Sequence, residues 1–373
     1  MEKVKKTFLL LNKDPILTVA FIAAAVSAVF IQPSRAYADY IDGYVLSLLL
    51  SMMLVIAGFQ KVGVFDFIVD WLLKYVIETR TLAYVLVGIC FFSSMLITND
   101  VALITFVPLS ILLLKQTQNQ KLLIPIIVMQ TIAANLGSMF TPLGNPQNLY
   151  LFSISNMTIF AFLKVMLVPT IVSFLLITAS ILLIKPERIE PIEGNGVKLT
   201  LNIESTFWII MFILCLLAVL KILPYMWVLA IILLGVVRID RKLLQDVDYG
   251  LLITFVCLFV FIGNLKTIPE VSMALASVVN GQEITTGILL SQVISNVPAA
   301  ILLSKFTMHY SDLLIGVNLG GLGTLIASMA SVISYKFYAS TEGAKTGKYL
   351  LVFTVANVLF LAILWGVVLV FPM

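Results

Sequence analysis

The sequence predicts an all-α membrane protein built from two inverted repeats. Of its 373 residues, 61% are hydrophobic and 11% are charged, a composition typical of a chain that crosses a membrane many times. Polar breaks interrupt apolar segments at matching places in the two halves, and Lys and Arg residues fall mainly on one side of the predicted spans. These observations predict about nine membrane spans and two additional re-entrant hairpins.

The first repeat is predicted over residues 1–184. Its elements are a span, a span, an interfacial amphipathic helix, a hairpin, a broken crossing and a span, at residues 15–31, 41–59, 62–78, 82–114, 122–160 and 161–184. As one helix, residues 82–114 would be about 50 Å long, too long for a hydrocarbon core of about 30 Å. Two arms of half that length, with the polar residues at a tip in mid-membrane, resolve the conflict.

The second repeat is predicted over residues 223–373, after a polar linker at 185–205 and an additional span at 206–222. The same order returns as two spans, an amphipathic segment, a hairpin, a broken crossing and a span, at residues 224–238, 250–264, 266–280, 284–308, 312–335 and 349–371. The repetition of the whole order predicts a duplicated fold.

The distribution of Lys and Arg predicts the orientation. With the N-terminus in the cytoplasm, most basic residues fall in cytoplasmic loops, as the positive-inside rule requires. The first hairpin then enters from the cytoplasm and the second from outside, and the C-terminus lies outside. The N-terminal apolar run could also be a signal peptide, but its length and the Asn12–Asp14 interruption favour a first transmembrane helix.

The hairpin tips carry the strongest polar signals, with Thr98, Asn99 and Asp100 in the first and Ser295 and Asn296 in the second. A carboxylate in mid-membrane is costly and is a functional hypothesis by default, so Asp100 is predicted to bind a proton or Na⁺. The alternative is that Asn99 or Asp100 only caps the second arm. The Asn amides can serve both a ligand and unwound backbone, although capping alone is an alternative there too.

Gly and Pro residues break the two predicted crossings. Free backbone groups at such breaks can bind a cation or an anion, whereas a simple kink or close helix packing is the alternative. We expect a Na⁺ ion, if one binds, near Asn99, Asp100, Gly144 and Asn145. The full set of candidate ligand-binding residues is Thr98, Asn99, Asp100, Thr141, Gly144, Asn145, Asn148, Ser295, Asn296, Gly323, Thr324 and Ser328.

Enzymatic chemistry is not expected. The sequence has a single histidine and three cysteines without metal-ligand spacing, and it contains no catalytic triad, Walker loop or dinucleotide-binding fingerprint. Its net charge of +4 is modest and lies in short loops, so no nucleic-acid partner is expected. We predict no cofactor other than a bound Na⁺.

The run from Thr98 to Leu103, followed by the run from Thr141 to Leu149, resembles the ion transporter superfamily, in particular citrate-transporter-like and arsenical-pump-like permeases. The resemblance implies a scaffold, a moving unit whose hairpin tips and broken helices form the site, and a homodimer. The sodium–carboxylate branch has Ser-Asn-Thr at both tips, and this chain departs from that pattern. Asp100 is similar to the tip carboxylate of the arsenical-pump and antiporter branches, where it could serve proton coupling.

The sequence therefore predicts a multi-pass secondary active transporter of the cell membrane. Its expected partners are the lipid bilayer, a small organic carboxylate or inorganic oxyanion, and a coupling H⁺ or Na⁺. One alternative is a Na⁺/H⁺ antiporter in which Asp100 is the exchanged site. Another is an ion channel framed by the hairpins, against which the lack of charge rings argues.

Overall fold

Helices make up nearly all of the structure, a computed structural model that describes residues 15–73, 76–189 and 203–370. The first half contains α1 (Pro15–Phe30), α2 (Ala36–Tyr40), α3 (Gly43–Lys61), α4 (Val64–Leu73), α5 (Thr79–Ile97), α6 (Asn99–Gln116), α7 (Leu123–Ser138), α8 (Pro146–Ile154) and α9 (Ile159–Leu182). Short 3₁₀ turns occupy Gln120–Leu122, Arg241–Gln245 and Leu325–Ala327.

The second half repeats this order after one additional helix. It contains α10 (Ile203–Val219), α11 (Tyr225–Ile239), α12 (Tyr249–Lys266), α13 (Pro269–Val279), α14 (Glu283–Ile294), α15 (Asn296–Leu303), α16 (Tyr310–Leu319), α17 (Met329–Ala339) and α18 (Thr346–Val370). Seven helical segments among the described residues are long and apolar enough to cross a membrane, and shorter apolar helices accompany them. The predicted all-α membrane fold is thus confirmed.

Helix starts follow local capping chemistry. The side chains of Asp42, Asn145, Thr158 and Asp248 each accept a hydrogen bond from a backbone N–H in the first turn of α3, α8, α9 and α12. These contacts satisfy N–H groups that have no partner within their own helix. Proline at the first position of α8 fits because that position needs no N–H donor.

Two pairs of consecutive helices are each joined at the polar residues of a predicted hairpin tip. The first consists of α5 and α6, and the second of α14 and α15. The first hairpin runs from Thr79 to Gln116. Each of its two arms is a few residues longer than half of the predicted segment 82–114. Each of these arms is about 27–28 Å long, so length alone would allow it to cross a hydrocarbon core.

The two halves interlock in one repeated packing pattern. The first arm of each hairpin packs on the N-terminal part of its own half's broken crossing, so α5 contacts α7 and α14 contacts α16. The second arm packs on the C-terminal part of the other half's crossing, so α6 contacts α17 and α15 contacts α8. The hairpins and broken crossings thus form a single interlocked body, which we call the hairpin unit (residues 79–182 and 283–370).

The remaining long helices flank this unit. Helix α1 packs against α12, while α3 packs against α10 and α11. On α3, Gly58 lies directly under the buried Trp208 of α10, and a Cβ atom there would come within 2.2 Å of the indole ring. We call α1, α3 and α10–α12 the flanking helices. They touch the hairpin unit mainly where α3 meets α8 and where α12 meets α15.

The connections agree with the predicted order where they are described. Short helices α4 and α13 occupy the predicted interfacial segments. The start of the linker returns to the base of the first hairpin, because the Thr79 hydroxyl donates to the Lys185 carbonyl at 2.7 Å. The rest of the predicted linker, residues 190–202, lies outside the described residues.

Candidate functional site

The two hairpin tips have the same backbone conformation. Thr98 has φ 69° and ψ 148°, and Ser295 has φ 74° and ψ 154°. Such values are rare for residues other than glycine, and strained residues of this kind cluster at functional sites. After each tip residue, the Asn side chain accepts a hydrogen bond from the next backbone N–H at 2.9 Å, at Asn99 and at Asn296. The tips are therefore equivalent structures.

The breaks in the two crossings are equivalent as well. Residues 135–148 align without gaps to residues 318–331, and both segments begin Asn-Leu-Gly and carry Thr at the seventh position. These threonines, Thr141 and Thr324, donate to the backbone carbonyls of Met95 and Gln292, each of which lies three residues before its hairpin tip. Each break is thus fastened to its own hairpin by the same side-chain hydrogen bond.

Buried amides connect the two halves across the breaks. The Asn135 Oδ1 atom accepts from Asn99 Nδ2 at 2.9 Å and from Ser328 Oγ at 2.9 Å. In the equivalent position, Asn318 Oδ1 accepts from Asn145 Nδ2 at 3.1 Å, and Asn318 Nδ2 donates to Asn148 Oδ1 at 2.6 Å. Both bridging asparagines are at most 3% exposed, so each holds the opposite half from a buried position.

The orientation of these amides is set by the backbone. The Oδ1 atoms of Asn99, Asn145 and Asn296 each accept a backbone N–H, from Asp100, Asn148 and Val297. Their Nδ2 groups therefore point toward other groups as donors. Asn99 Nδ2 and Asn145 Nδ2 already donate to Asn135 Oδ1 and Asn318 Oδ1, whereas Asn296 Nδ2 makes no such bond with a described residue. The second tip therefore offers an amide N–H group that suits an anion.

A small cavity lies where the tips meet. Its volume is about 20 Å³, enough for one water molecule but too small for a carboxylate or oxyanion substrate. The described lining residues come from both tips, both breaks and α12: Asn99, Asp100, Pro146, Gln147, Leu251, Thr254, Ser295, Asn296, Val297, Pro298, Ser328 and Met329.

Four helix N-termini converge on this cavity. Helices α6, α8, α15 and α17 begin at Asn99, Pro146, Asn296 and Met329, and all four of these residues line it. Each helix N-terminus is equivalent to roughly half a positive charge. None of the described lining residues is Lys, Arg or His, so the positive field at the cavity comes from backbone rather than from side chains.

Asp100 places a carboxyl group in this field. It is the only acidic residue that lines the cavity within the described part of the chain, and no ion pair with a described Lys or Arg is formed. Asp248, the cap of α12, is the carboxylate whose field reaches it. A group in this position can hold a proton or a small cation beside a bound anion.

The twelve predicted residues fall into three groups. Asn99, Asp100, Ser295, Asn296 and Ser328 line the cavity. A second group of four lies behind the cavity. Asn145 and Asn148 belong to the amide network, and the Gly144 carbonyl accepts the Asn99 N–H at 3.0 Å. Thr141 is hydrogen-bonded to the first hairpin. The remaining three, Thr98, Gly323 and Thr324, shape backbone, and Thr324 is exposed.

The oxygens proposed for Na⁺ are mostly engaged in this conformation. Asn99 Oδ1, Gly144 O and Asn145 Oδ1 all accept backbone N–H groups, which leaves the Asp100 carboxylate as the freest of the four candidate ligands. Among the described residues, no cluster of three or more His, Cys, Asp or Glu side chains could hold a metal ion.

Sequence reasoning missed two residues that organise the site. Asn135 bridges the first tip to Ser328, and Gln292 fastens the second tip. Gln292 Nε2 donates to the carbonyls of Gly320 and Leu322 at 3.0 and 2.9 Å, and its Oε1 accepts the Thr324 N–H at 2.8 Å. The ungapped match of the two Asn-Leu-Gly segments was the available signal for Asn135.

Comparison with known proteins places the chain among transporters. The sequence model of a family described as citrate transporter matches residues 7–319. An uncharacterized transporter of Methanocaldococcus jannaschii is 34% identical over 293 residues, covering 78% of this chain and 80% of the relative. The inner membrane protein YbiR of Escherichia coli is 29% identical over 315 residues, covering 81% and 82%.

A third relative, a 46 kDa membrane protein of Mycobacterium leprae, is 24% identical over 338 residues, covering 79% of this chain and 78% of its own length. The family match spans both hairpin tips and the first break. Together the matches agree with a multi-pass membrane protein that is a transporter rather than an enzyme. The chain belongs to the citrate transporter family.

Proposed function

We propose that this membrane transporter is a secondary active carrier for a small anion, either an organic carboxylate or an inorganic oxyanion, coupled to H⁺ or Na⁺. The observation that carries the proposal is the convergence of four helix N-termini on a cavity whose described lining has no basic side chain. Helix N-termini bind anions through free N–H groups and the helix dipole. The amide of Asn296, which lines the cavity, adds to this preference.

Alternating access supplies the mechanism. The cavity is smaller than a substrate, so the site must open to bind one. The hairpin unit is interlocked through its amides, whereas its contacts with the flanking helices are confined to a few helices. We therefore propose that the hairpin unit moves as one body against the flanking helices and carries the site from one side of the membrane to the other.

Asp100 provides the coupling in this scheme. An empty site would hold the carboxylate in the positive field of the helix ends, and an incoming anion would be repelled by its charge. A proton or Na⁺ bound to Asp100 removes that repulsion. Anion and coupling cation are then expected to bind cooperatively, and each should raise the affinity for the other by the same factor.

The membrane arrangement follows from the basic residues and from the family resemblance. We propose a multi-pass homodimer in the cell membrane, with the N-terminus in the cytoplasm and the C-terminus outside. The first hairpin would enter from the cytoplasm and the second from outside. Cysteine accessibility tests this: residue 118 should react with a membrane-impermeant reagent only from the cytoplasm, and residue 282 only from outside.

A gradient assay tests the function. The purified chain is reconstituted in liposomes with an imposed pH gradient, an imposed Na⁺ gradient or neither, and uptake of citrate, succinate, phosphate, sulfate and arsenate is measured. Saturable uptake of one anion class that follows one gradient is the expected result. Asn296→Ala should weaken binding of that anion, because the side chain lines the cavity.

The matched control is Asn357→Ala. Asn357 is also a buried asparagine, but it lies on α18, where its Nδ2 donates to the Phe353 carbonyl at 2.9 Å, and it does not line the cavity. Equal loss of binding in both variants, or uptake that never saturates, would contradict the proposed site.

A cation/proton antiporter is the second candidate, and the unpaired carboxylate of Asp100 is the observation that favours it. The same liposomes distinguish the two functions. An antiporter would exchange Na⁺ for H⁺ with no anion present, whereas the anion carrier would show gradient-driven flux only after anion is added.

A further inference from the structure

Buried polar side chains line one side of α17 from the cavity to the far end of the helix. Ser328, Ser331, Ser334 and Tyr338 recur at intervals of three or four residues, and each is at most 4% exposed. Residues at this spacing share one helix face, so the four side chains form a strip about 15 Å long. The strip faces α7, because Ser328 Oγ donates to Asn135 Oδ1 at 2.9 Å.

The opposite wall of the strip is polar too. Thr131 lies one turn before Asn135 on α7, and the Tyr349 hydroxyl of α18 lies beside the Thr131 hydroxyl. The Tyr349 ring stacks on the Tyr338 ring with centroids 4.8 Å apart. At the far end, the Tyr338 hydroxyl accepts the backbone N–H of the exposed Lys345 at 3.0 Å. We call this set the hydroxyl seam: Thr131, Asn135, Ser328, Ser331, Ser334, Tyr338 and Tyr349.

Three atoms of the seam are buried without a hydrogen-bond partner. They are Asn135 Nδ2, Ser331 Oγ and Tyr349 Oη. Buried polar atoms are almost always satisfied by protein or by internal water, so three such atoms in one strip indicate that water reaches the strip. The seam thus has donors and acceptors that the protein alone leaves free.

The other half of the protein shows why two of these atoms, Asn135 Nδ2 and Ser331 Oγ, have no partner. There, Asn318 Nδ2 donates to Asn148 Oδ1 at 2.6 Å. The residue aligned with Asn148 is Ser331, and the residue aligned with Asn318 is Asn135. Serine is shorter than asparagine, so the equivalent hydrogen bond is not made and both of its ends stay unpaired. The shorter side chain leaves a polar gap on the path between the cavity and the Lys345 end.

We infer that the hydroxyl seam holds a file of water molecules that carries protons between the predicted cytoplasmic face and the cavity lined by Asp100. The inference rests on the proposed anion carrier and makes H⁺, rather than Na⁺, its coupling ion. A proton enters from bulk water near Tyr338 and moves by exchange, because each water or hydroxyl oxygen accepts one proton and releases another. It ends on the Asp100 carboxylate, where an O–H bond forms.

The charges along this route agree with that direction of transfer. Asp100 is the only titratable residue that lines the cavity among the described residues, and Asp248 on the adjoining α12 is the acidic group whose field reaches it. The seam itself contains hydroxyl and amide groups only. Its exposed end lies beside Lys336 and Lys345, which face solvent. No described cation therefore blocks the seam between its mouth and the cavity.

The test uses the full chain in liposomes loaded with a pH-sensitive dye. The five anions named above are supplied as a mixture, and proton entry driven by a pH gradient is compared with anion exchange at equal pH on both sides. Ser331→Ala and Tyr349→Phe should each slow gradient-driven proton entry by about tenfold or more, because a relay group is lost. Exchange at equal pH should stay within about twofold of wild type, because neither residue lines the cavity.

Two further variants keep the result interpretable. Ser331→Asn should restore the bond made by Asn148, displace solvent from the gap, block proton entry and raise the unfolding temperature. Ser173→Ala is the matched control, since Ser173 on α9 is equally buried and donates only to the Pro169 carbonyl at 2.6 Å. It should leave both fluxes unchanged.

Each remaining outcome overturns the inference. Normal proton entry in the Ser331 and Tyr349 variants means that the seam carries no protons. Equal loss of proton entry and exchange means that these residues are only structural. Wild-type uptake that follows Na⁺ and ignores pH refutes the seam but leaves the anion carrier standing, whereas wild-type liposomes that move none of the anions refute the proposed function itself.

Discussion

The two hairpins have tips of the same conformation but differ in their arms and in most of the contacts that support the tips. In both tips a residue other than glycine has a positive φ, and the asparagine that follows it accepts the next backbone N–H. In both hairpins the backbone carbonyl three residues before the tip accepts a threonine hydroxyl. The first hairpin has arms of 19 and 18 residues, and the second has arms of 12 and 8. The backbone conformation of the tip is thus the same in both hairpins, whereas the helices that carry it differ in length.

The difference in arm length has a consequence for depth. The leading arms of the two hairpins measure about 28 and 18 Å, and their summed length of about 46 Å is close to the 40–45 Å thickness of a bilayer with its headgroups. If the hairpins enter from opposite sides, their tips meet nearer to the extracytoplasmic surface. A longer polar route is then needed on the cytoplasmic side, which is the side to which we assign the hydroxyl seam.

The largest chemical difference between the tips is the residue after asparagine, Asp100 in one and Val297 in the other. Asp100→Asn should reduce gradient-driven uptake by at least about 100-fold, because it removes the only ionisable group among the described residues that line the cavity. The fold should survive, since no described ion pair depends on Asp100. Uptake under pH and Na⁺ gradients is the measurement.

Val297→Asn is the matched control for Asp100, since it places the same side chain at the equivalent tip. It should alter affinity but keep the gradient dependence. Coupling lost equally in both variants would mean that the tips are functionally alike and that Asp100 acts only as a cap.

The supports of the second tip should matter more for stability than those of the first. Gln292→Leu leaves two carbonyls and the Thr324 N–H without their side-chain partner, and we expect the free energy of unfolding to fall by about 3 kcal/mol or more. Met95 holds the equivalent position, and Met95→Leu should cost less than about 1.5 kcal/mol. Unfolding in detergent measures the stability of both variants. Equal losses of stability would show that the hydrogen bonds of Gln292 do not stabilise the second tip.

A further contrast lies at the backbone beside each tip. A Cβ atom on Gly144 would come within 2.0 Å of the Ser138 carbonyl oxygen, whereas its counterpart is already an alanine, Ala327. Gly144→Ala should therefore destabilise by about 1–3 kcal/mol through overpacking. Ala327→Gly should cost about 1 kcal/mol or less. The order of the two unfolding temperatures tests this contrast, and its reversal would disprove the alignment of the breaks.

The smallest effects are expected at the tip residues themselves. A positive φ at a residue other than glycine costs about 1–3 kcal/mol of stability, and Thr98→Gly and Ser295→Gly should both remove this cost. Glycine in turn lowers stability by about 0.5–1 kcal/mol, because it gives the unfolded chain greater conformational freedom. Both variants should gain stability by a similar small amount. A gain at one tip and a clear loss at the other would show that the shared conformation has different causes in the two hairpins.

The sequence predicted the elements well because hydrophobic run length and the positions of polar breaks decide where helices begin and end in a membrane. It could not predict which amides pair. Asn135 lies just before the first break, but its partners Asn99 and Ser328 are 36 and 193 residues away. Such contacts depend on how the halves interlock, which periodicity within one segment does not encode.

The positive φ values at Thr98 and Ser295 were equally beyond sequence reasoning. A glycine is the usual signal for such a conformation, and neither tip has one. Gln292 was missed for a similar reason, because an amide within an apolar arm looks like an isolated polar residue until the second break is brought beside it.

The convergence of helix N-termini also bears on how relatives of this chain can change substrate. A positive field made by backbone dipoles is not removed by replacing side chains, as a field from arginine or lysine would be. The side chains of Gln147 and Thr254, which line the cavity but do not create that field, are then free to vary. Replacing them should change which anion fits while the preference for negative charge persists, so a common frame could diversify in substrate without passing through an inactive intermediate.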